Sequence, residues 1–244
     1  MTVIPVVISP KMCKLFFVGL MAVLPVAGQL SISAKPEVVE FGEHVTLDWE
    51  SPGSRAFLDG VGPVPPSGSL TITPRSSMTY TLISEGRTGI SYASAQVQVM
   101  GERGESVFPD PDDFPPGVSD HRAPVLYTDF LNLVFKTLQD GMKFRVRGEH
   151  LPSDHFYVFF TERQPRPDLL RRSDSGIRSR RTAYWVKVEE PRAPQDVAFQ
   201  VKAIVEFQRL AESKWNAETD QQLVTEVETR LKQQLLAAQL GTPK

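Results

Sequence analysis

The side chains that could perform chemistry are few and scattered along the chain. There are four histidines, His44, His121, His150 and His155, and the only cysteine is Cys13. The sequence contains no nucleophile elbow of the G-x-S-x-G type, no phosphate-binding loop and no H-E-x-x-H helix. Serines and carboxylates are plentiful, but no motif combines them with a histidine. We therefore predict no catalytic residues.

Two groups of residues could in principle bind a metal ion. His150 and His155 flank the sequence Leu-Pro-Ser-Asp and, with Glu149 and Asp154, offer zinc ligands. A five-residue spacing around a proline does not preset a metal site as an i, i+4 pair on a helix does. We therefore interpret both histidines as solvated loop residues.

A cluster of aspartates offers oxygen ligands for a hard cation such as Ca²⁺. It consists of Asp110, Asp112 and Asp113. The spacing lacks the full loop of a known calcium motif, and the neighbouring prolines limit wrapping around an ion. We predict no metal and no cofactor.

The most unusual stretch is Arg163–Arg181, in which seven arginines face only two aspartates. The pattern predicts a long exposed loop that interrupts a sheet, and long loops are often functional. Guanidinium groups offer paired donors to phosphate and carboxylate groups. The candidate binding residues are Arg163, Arg166, Arg171, Arg172, Arg178, Arg180 and Arg181. The alternative is a solvated mobile loop without a ligand.

Residues 29–100 read as short strands separated by turns rich in glycine and proline. Thr and apolar residues alternate, for example where Val45, Leu47 and Trp49 fall on one face of a strand. Tyr80 and Leu82 are expected to point inward in the same way. The regular turn spacing predicts an all-β sandwich in which Trp49 and Tyr80 are core residues.

The residues of this stretch resemble the bacterial immunoglobulin-like repeats of secreted and surface proteins. The resemblance covers residues 30–100 and rests on Val45-Thr46-Leu47-Asp48-Trp49, Gly60-Val61-Gly62, Ser67-Gly68-Ser69 and Thr79-Tyr80-Thr81-Leu82. It implies an immunoglobulin-like sandwich that acts as a spacer, adhesion or docking module, and it implies no catalytic residues.

Residues 101–123 combine six acidic residues with four prolines. Such a composition cannot bury a core and favours an extended form. It predicts an acidic, proline-rich linker between two domains.

Residues 124–240 predict an α+β domain, and no family resemblance is evident in them. Apolar residues at helical spacing predict a helix that ends near Gly141, and a second helix over 220–239 that begins with a capping box of Thr219 and Gln222. Four strand-like runs lie between the helices. The prediction is a four-stranded, mainly antiparallel sheet with two flanking helices.

One face of this sheet could combine aromatic and basic side chains. Tyr157, Phe159 and Trp185 would share it with Arg145, Arg147 and Lys187. Such a face can grip single-stranded nucleic acid, but we favour coverage by a helix.

Residues 1–28 have the pattern of an export signal. Lys11 and Lys14 precede the apolar run 15–24, which is too short to span a bilayer, and small residues precede Gln29. We expect cleavage before Gln29. A retained amino-terminal anchor is the alternative.

Cleavage would remove Cys13, so the mature chain would contain neither disulfides nor thiol chemistry. This pattern suits a bacterial envelope protein. No second apolar run after the signal is long enough to span a membrane. The net charge of −2 does not favour nucleic acid as a partner.

These observations predict an exported, non-catalytic binding or structural component of the bacterial cell envelope, located in the periplasm, on the cell surface or outside the cell. Its partner would be an envelope protein or an anionic cell-surface polymer, bound by the arginine-rich stretch. Two alternatives stay open. One is a secreted hydrolase with an immunoglobulin-like accessory domain, and the other is a binder of anionic polymers or nucleic acid, such as a DNA-uptake factor.

Overall fold

A computed structural model describes residues 29–53, 55–87, 89–101, 121–151, 155–166, 176–193, 195–210 and 214–240. The predicted export signal, the linker residues 102–120 and the loop residues Arg171 and Arg172 lie outside these ranges. We refer to residues 29–101 as the amino-terminal part and to residues 121–240 as the carboxyl-terminal part.

The described chain is rich in β-strand and has two α-helices. The strands of the amino-terminal part are β1 (Ser31–Lys35), β2 (Val38–Glu40), β3 (Val45–Glu50), β4 (Arg55–Leu58), β5 (Gly62–Val64), β6 (Ser67–Ile72), β7 (Met78–Gly86) and β8 (Gly89–Met100). Those of the carboxyl-terminal part are β9 (His121–Ala123), β10 (Val146–Leu151), β11 (Phe156–Thr161), β12 (Gln164–Pro165), β13 (Ile177–Glu189), β14 (Val197–Arg209) and β15 (Trp215–Thr219). The helices are α1 (Tyr127–Lys136), which continues as a π-helical turn over Thr137–Gly141, and α2 (Gln221–Leu240).

The amino-terminal part consists of two sheets that pack face to face. One has the strand order β1–β3–β6 and the other β2–β8–β7–β4–β5. The inward residues of both sheets form one buried cluster that includes Val45, Leu47, Trp49, Tyr80 and Leu82. The predicted inward faces and the core positions of Trp49 and Tyr80 are therefore confirmed.

Trp49 and Gly68 depend on each other in this core. The Trp49 indole Nε1 donates a hydrogen bond to the Pro65 carbonyl over 2.9 Å. A Cβ atom at Gly68 would lie 2.5 Å from the indole ring, so only glycine leaves room for it. Gly68 lies within β6, beneath the tryptophan.

The carboxyl-terminal part is built on one sheet of seven strands in the described residues. Five of them run in the order β10–β11–β13–β14–β15, with β12 beside β13 and β9 beside β14, and all pairs are antiparallel. The predicted count of four strands was wrong because β9, β12 and β15 are short or lack an apolar alternation. His121–Ala123, assigned to the linker, form β9 and extend the sheet.

The two predicted helices are present and pack on the sheet. α2 buries Leu223, Val227 and Leu231 against it. Its amino terminus is capped by Asp220, whose Oδ1 accepts hydrogen bonds from the amides of Gln222 (2.9 Å) and Leu223 (3.2 Å). The predicted capping residue Thr219 is wrong, since it belongs to β15.

One hydrophobic cluster, distinct from the sandwich core, crosses the junction between the two parts. On β4, Ala56 and Leu58 point into the sandwich, whereas Phe57 between them points to the carboxyl-terminal part, as strand alternation requires. The Phe57 ring makes edge contacts with Phe135 (5.9 Å between centroids), Tyr157 (6.3 Å) and Phe159 (5.9 Å). The five-stranded sheet is therefore covered on both faces.

Glu85 on β7 supplies the cap that α1 lacks locally. The residue before the helix, Leu126, has no side chain that can accept hydrogen bonds. The Glu85 carboxylate instead accepts bonds from the amides of Tyr127 (3.3 Å) and Thr128 (3.0 Å) and from the Thr128 hydroxyl. Its negative charge also complements the positive end of the helix dipole.

We expect Phe57→Ala to destabilise the whole chain by about 3–5 kcal/mol, because it empties a site enclosed by three rings. Chemical denaturation measures the loss. Phe57→Leu keeps most of the volume and should cost less, and Phe41→Ala, at a side chain that is 58% exposed, should cost little. Equal effects of Phe57→Ala and Phe41→Ala would contradict the shared core.

We expect Glu85→Ala to lower the free energy of unfolding by about 1–2 kcal/mol, since two helix amides lose their acceptor. Glu85→Gln keeps one acceptor oxygen and should retain part of the stability. A Glu85→Ala variant as stable as the native chain would show that solvent caps α1 equally well.

Candidate functional site

The arginine-rich stretch is not one continuous loop. Arg163 and Arg166 flank β12, and Arg178, Arg180 and Arg181 lie on β13. The loop prediction was therefore wrong for Gln164–Pro165 and for 177–181. The structural reason is that β13 is longer than its apolar run and extends to Ile177 opposite Arg209.

Two of these arginines meet on one carboxylate. The Arg163 Nε donates to both oxygens of Glu206 on β14, at 3.1 and 2.9 Å, and the Arg181 Nε donates to Glu206 Oε2. The Arg181 guanidinium also lies 3.9 Å from the centroid of the Trp215 ring. Glu206 thus fixes both guanidiniums while neutralising one charge.

Arg180 is held in a similar way on the other side of the strand. Its Nη1 lies 2.8 Å from Glu218 Oε1 on β15. Its guanidinium carbon lies 5.8 Å from the Phe207 ring centroid, and that of Arg209 lies 6.0 Å from the same centroid. Phe207 is therefore flanked by two guanidiniums, and the electron-rich face of its ring attracts both of these cations.

The ends of β13 and β14 and the start of β15 carry basic residues on both faces of the sheet, and we call this region the arginine-rich end. It consists of Arg163, Arg178, Arg180, Arg181, Arg209 and Lys214 with the rings of Phe207 and Trp215 and the acids Glu206 and Glu218. Arg178, Arg209 and Lys214 are exposed, and Leu210 beside them is 69% exposed. Six cations thus face two carboxylates in this set of residues.

Arg166 is directed elsewhere. It lines a recess of about 310 Å³ with Tyr184, Glu226 and Arg230. Burial, with smaller contributions from nearby charges, raises the pKa of Tyr184 to about 12. Arg230 donates a hydrogen bond to Glu226 over 3.0 Å, an i, i+4 ion pair on α2. The Arg166 side chain therefore contributes to this recess, while its amide donates a hydrogen bond to the Arg180 carbonyl over 2.8 Å.

A buried acid, Asp59, lies where the two parts meet. Its side chain is almost fully buried, and its Oδ1 accepts a hydrogen bond from the Gly148 amide on β10 over 2.7 Å. Burial raises the pKa of Asp59 to about 7, although the Tyr157 hydroxyl, the Gly148 amide and the Arg147 charge oppose the shift. Sequence reasoning missed Asp59, because an aspartate before a glycine is typical of an ordinary turn.

His150 is the second polar group at this junction, and its prediction as a solvated loop residue was wrong. It lies on β10 with a side chain that is only 11% exposed. Its imidazole stacks on Tyr92 of β8, with centroids 3.6 Å apart, and its Nε2 lies 3.0 Å from Glu190 Oε1. His155 is 78% exposed, so the prediction for that residue is confirmed.

Glu190 links both histidines. Burial favours its neutral form, but the hydrogen bond with His150 and the nearby Tyr92 hydroxyl outweigh burial and lower the pKa of Glu190. A histidine paired with a carboxylate is part of many hydrolytic sites, yet here the imidazole face is covered by the Tyr92 ring. The pair therefore ties β8 to the carboxyl-terminal part. No group of three metal-ligating side chains occurs in the ranges that the structure describes.

The predicted aromatic and basic face is divided between the two sides of the sheet. Tyr157 and Phe159 point to α1 and the Phe57 ring, whereas Trp185 lies on the opposite face. Their assignment to one face was wrong, because the register pairs Trp185 with Phe160 and not with Phe159. Trp185 is also only 2% exposed, so it offers no surface for base stacking.

Comparison with known proteins gives no further guide. No protein-family model, no curated protein and no solved structure matches the chain. Neither α1 nor α2, the helices of the described residues, has the length and apolar character needed to cross a bilayer.

The raised pKa of Asp59 predicts how its contribution to stability depends on pH. The folded chain binds this proton more tightly than the unfolded chain, so the contribution is greatest below about pH 4 and is lost as pH rises towards 7. The loss is at most about 4 kcal/mol. We expect Asp59→Asn to flatten the fall in stability between pH 5 and 8, measured by urea denaturation.

The matched control for this measurement is Asp140→Asn, at an exposed aspartate. It should keep the native slope. All other titratable groups are common to the native chain and the Asp59→Asn variant, so their effect cancels in the difference. If Asp59→Asn and the native chain have parallel pH profiles, the buried carboxyl is not a titrating group in this range.

Proposed function

We propose that the protein is an exported, non-catalytic binding component of the bacterial cell envelope. In this proposal the amino-terminal part is an immunoglobulin-like sandwich, followed by an α+β domain that makes the main contact. The packed two-sheet arrangement around Trp49 supports the sandwich. The apolar run before residue 29 supports export to the periplasm, the cell surface or the medium.

The observation that carries the proposal is the arginine-rich end. The guanidiniums of Arg163, Arg180 and Arg181 are held in place by Glu206, Glu218 and the rings of Phe207 and Trp215, so these side chains would lose little conformational freedom on binding. Arg178, Arg209 and Lys214 add exposed positive charge around the exposed Leu210. Such a surface suits a partner that presents carboxylate or phosphate groups.

The partner would be an envelope protein with an acidic face or an anionic cell-surface polymer. Binding through an exposed cationic surface should weaken as salt rises, because counterions screen it. The hydrolase alternative is not supported by the described residues. The His150–Glu190 pair could suggest a hydrolytic site, but it lies under the Tyr92 ring and connects the two parts. Nucleic acid is disfavoured because Trp185, one of the aromatic residues predicted to stack bases, is buried.

We expect the triple variant Arg178→Gln, Arg209→Gln, Lys214→Gln to lose at least about tenfold in binding to isolated envelope fractions. Co-sedimentation of the full chain at low and high salt measures the binding. The native chain should bind less at high salt.

A second triple variant, Lys35→Gln, Arg87→Gln, Lys232→Gln, removes the same charge from other exposed positions and should bind like the native chain. Equal losses of binding in both variants would show that binding depends on the net charge of the protein and not on this site. Unchanged binding in the first variant would show that the arginine-rich end is not the binding site.

A further inference from the structure

A second basic site lies at the junction of the two parts and involves none of the residues of the arginine-rich end. It is a recess of about 220 Å³ between the β4–β5 turn, the β6–β7 connection and the start of β10. Its polar lining consists of Arg75, Ser76 and Tyr80 from the amino-terminal part and of Gln139, Arg145 and Arg147 from the carboxyl-terminal part. Three arginines, one from the amino-terminal part and two from the carboxyl-terminal part, therefore line one small space.

No carboxylate occurs among the described residues that line this recess. Arg145 lies 3.5 Å from Glu162, and Arg147 lies 3.8 Å from Glu149. The 3.8 Å between Arg147 and Glu149 exceeds the 2.7–2.9 Å of a direct charge-assisted bond, so this acid leaves donor capacity on the Arg147 guanidinium. Asp59 also attracts Arg147, but its Oδ1 bonds to Gly148 and its side chain does not line the recess.

Arg147 has a buried hydrogen-bond donor that lacks an acceptor among the described residues. This donor is its Nε. A buried donor without an acceptor costs free energy, and a charged donor costs more than a neutral one. An oxyanion in the recess would supply acceptor oxygens beside this guanidinium.

We propose that the recess binds a small oxyanion of the phosphate class, either free or as the terminal group of a larger molecule. Guanidinium forks match the paired oxygens of such an anion. The volume lies below the roughly 300–1,000 Å³ of typical organic-ligand pockets, and suits a single anionic group. The bound anion would join Arg75 of one part to Arg145 and Arg147 of the other, so it would also stabilise the junction.

The experiment is calorimetric titration of the full chain, at constant ionic strength, with inorganic phosphate and separately with glycerol 3-phosphate. We expect saturable binding of at least one of them. Tighter binding of inorganic phosphate identifies the free ion as the ligand, whereas tighter binding of glycerol 3-phosphate identifies an esterified phosphate group. Absence of saturable binding of both would overturn the proposal.

Arg75→Gln and Arg147→Gln should each weaken phosphate binding by about tenfold or more, since each removes a charge-assisted contact. Arg75 is exposed, so its replacement tests the site even if Arg147→Gln fails to fold. Arg87→Gln, at another exposed arginine, should bind like the native chain, and an equal loss there would reduce the effect to net charge. The triple variant at Arg178, Arg209 and Lys214 should retain phosphate binding, which separates this site from the arginine-rich end.

Discussion

The packing of Phe57 against three rings of the carboxyl-terminal part is the contact on which the rest of the structure depends. It occurs because β4 and β7 present apolar residues on both faces. Their second face carries Phe57 and Ile83, which join the core of α1 and the seven-stranded sheet. The amino-terminal part alone would expose these side chains, and the carboxyl-terminal part alone would expose Phe135 and Phe159. Each part therefore supplies the cover that the other needs.

The polar contacts of the junction follow the same strand geometry. Asp59 lies two residues after Phe57, and Glu85 lies two residues after Ile83, so strand alternation directs both carboxyls to the same side as the apolar pair. Asp59 bonds to the Gly148 amide, and Glu85 caps α1. Two acids thus fix the position of the carboxyl-terminal part on the sheet, while the apolar residues supply most of the driving force. The recess with Arg75, Arg145 and Arg147 exists only because this junction is formed.

The regular elements could be predicted from the sequence because their apolar residues recur with a clear period. β3, β11, β14, α1 and α2 all belong to this class. β9, β12 and β15 could not, since their pairing depends on longer neighbouring strands and their own residues are polar or few. The arginines on β13 resembled a loop for the same reason: the strand is extended by pairing with β14 and by ion pairs to Glu206 and Glu218, and not by apolar alternation.

The junction itself had no signal in the sequence. The predicted division into a sandwich, a linker and a second domain treated each segment as complete, and a single Phe between two inward residues is ordinary on a strand. The sequence Leu-Pro-Ser-Asp after His150 predicts an exposed residue, yet long-range stacking on Tyr92 buries it. Contacts between residues far apart in sequence decide such cases, and local patterns do not report them.

Native-state hydrogen exchange on the full chain tests most directly whether the two parts unfold together. The shared core predicts that the slowest amides of β3, in the sandwich, and of β14, in the seven-stranded sheet, exchange with the same opening free energy. It also predicts that Phe57→Ala lowers both values by the same amount. Exchange of the β3 amides at a distinctly lower free energy, with those of β14 unaffected by the substitution, would contradict a common core.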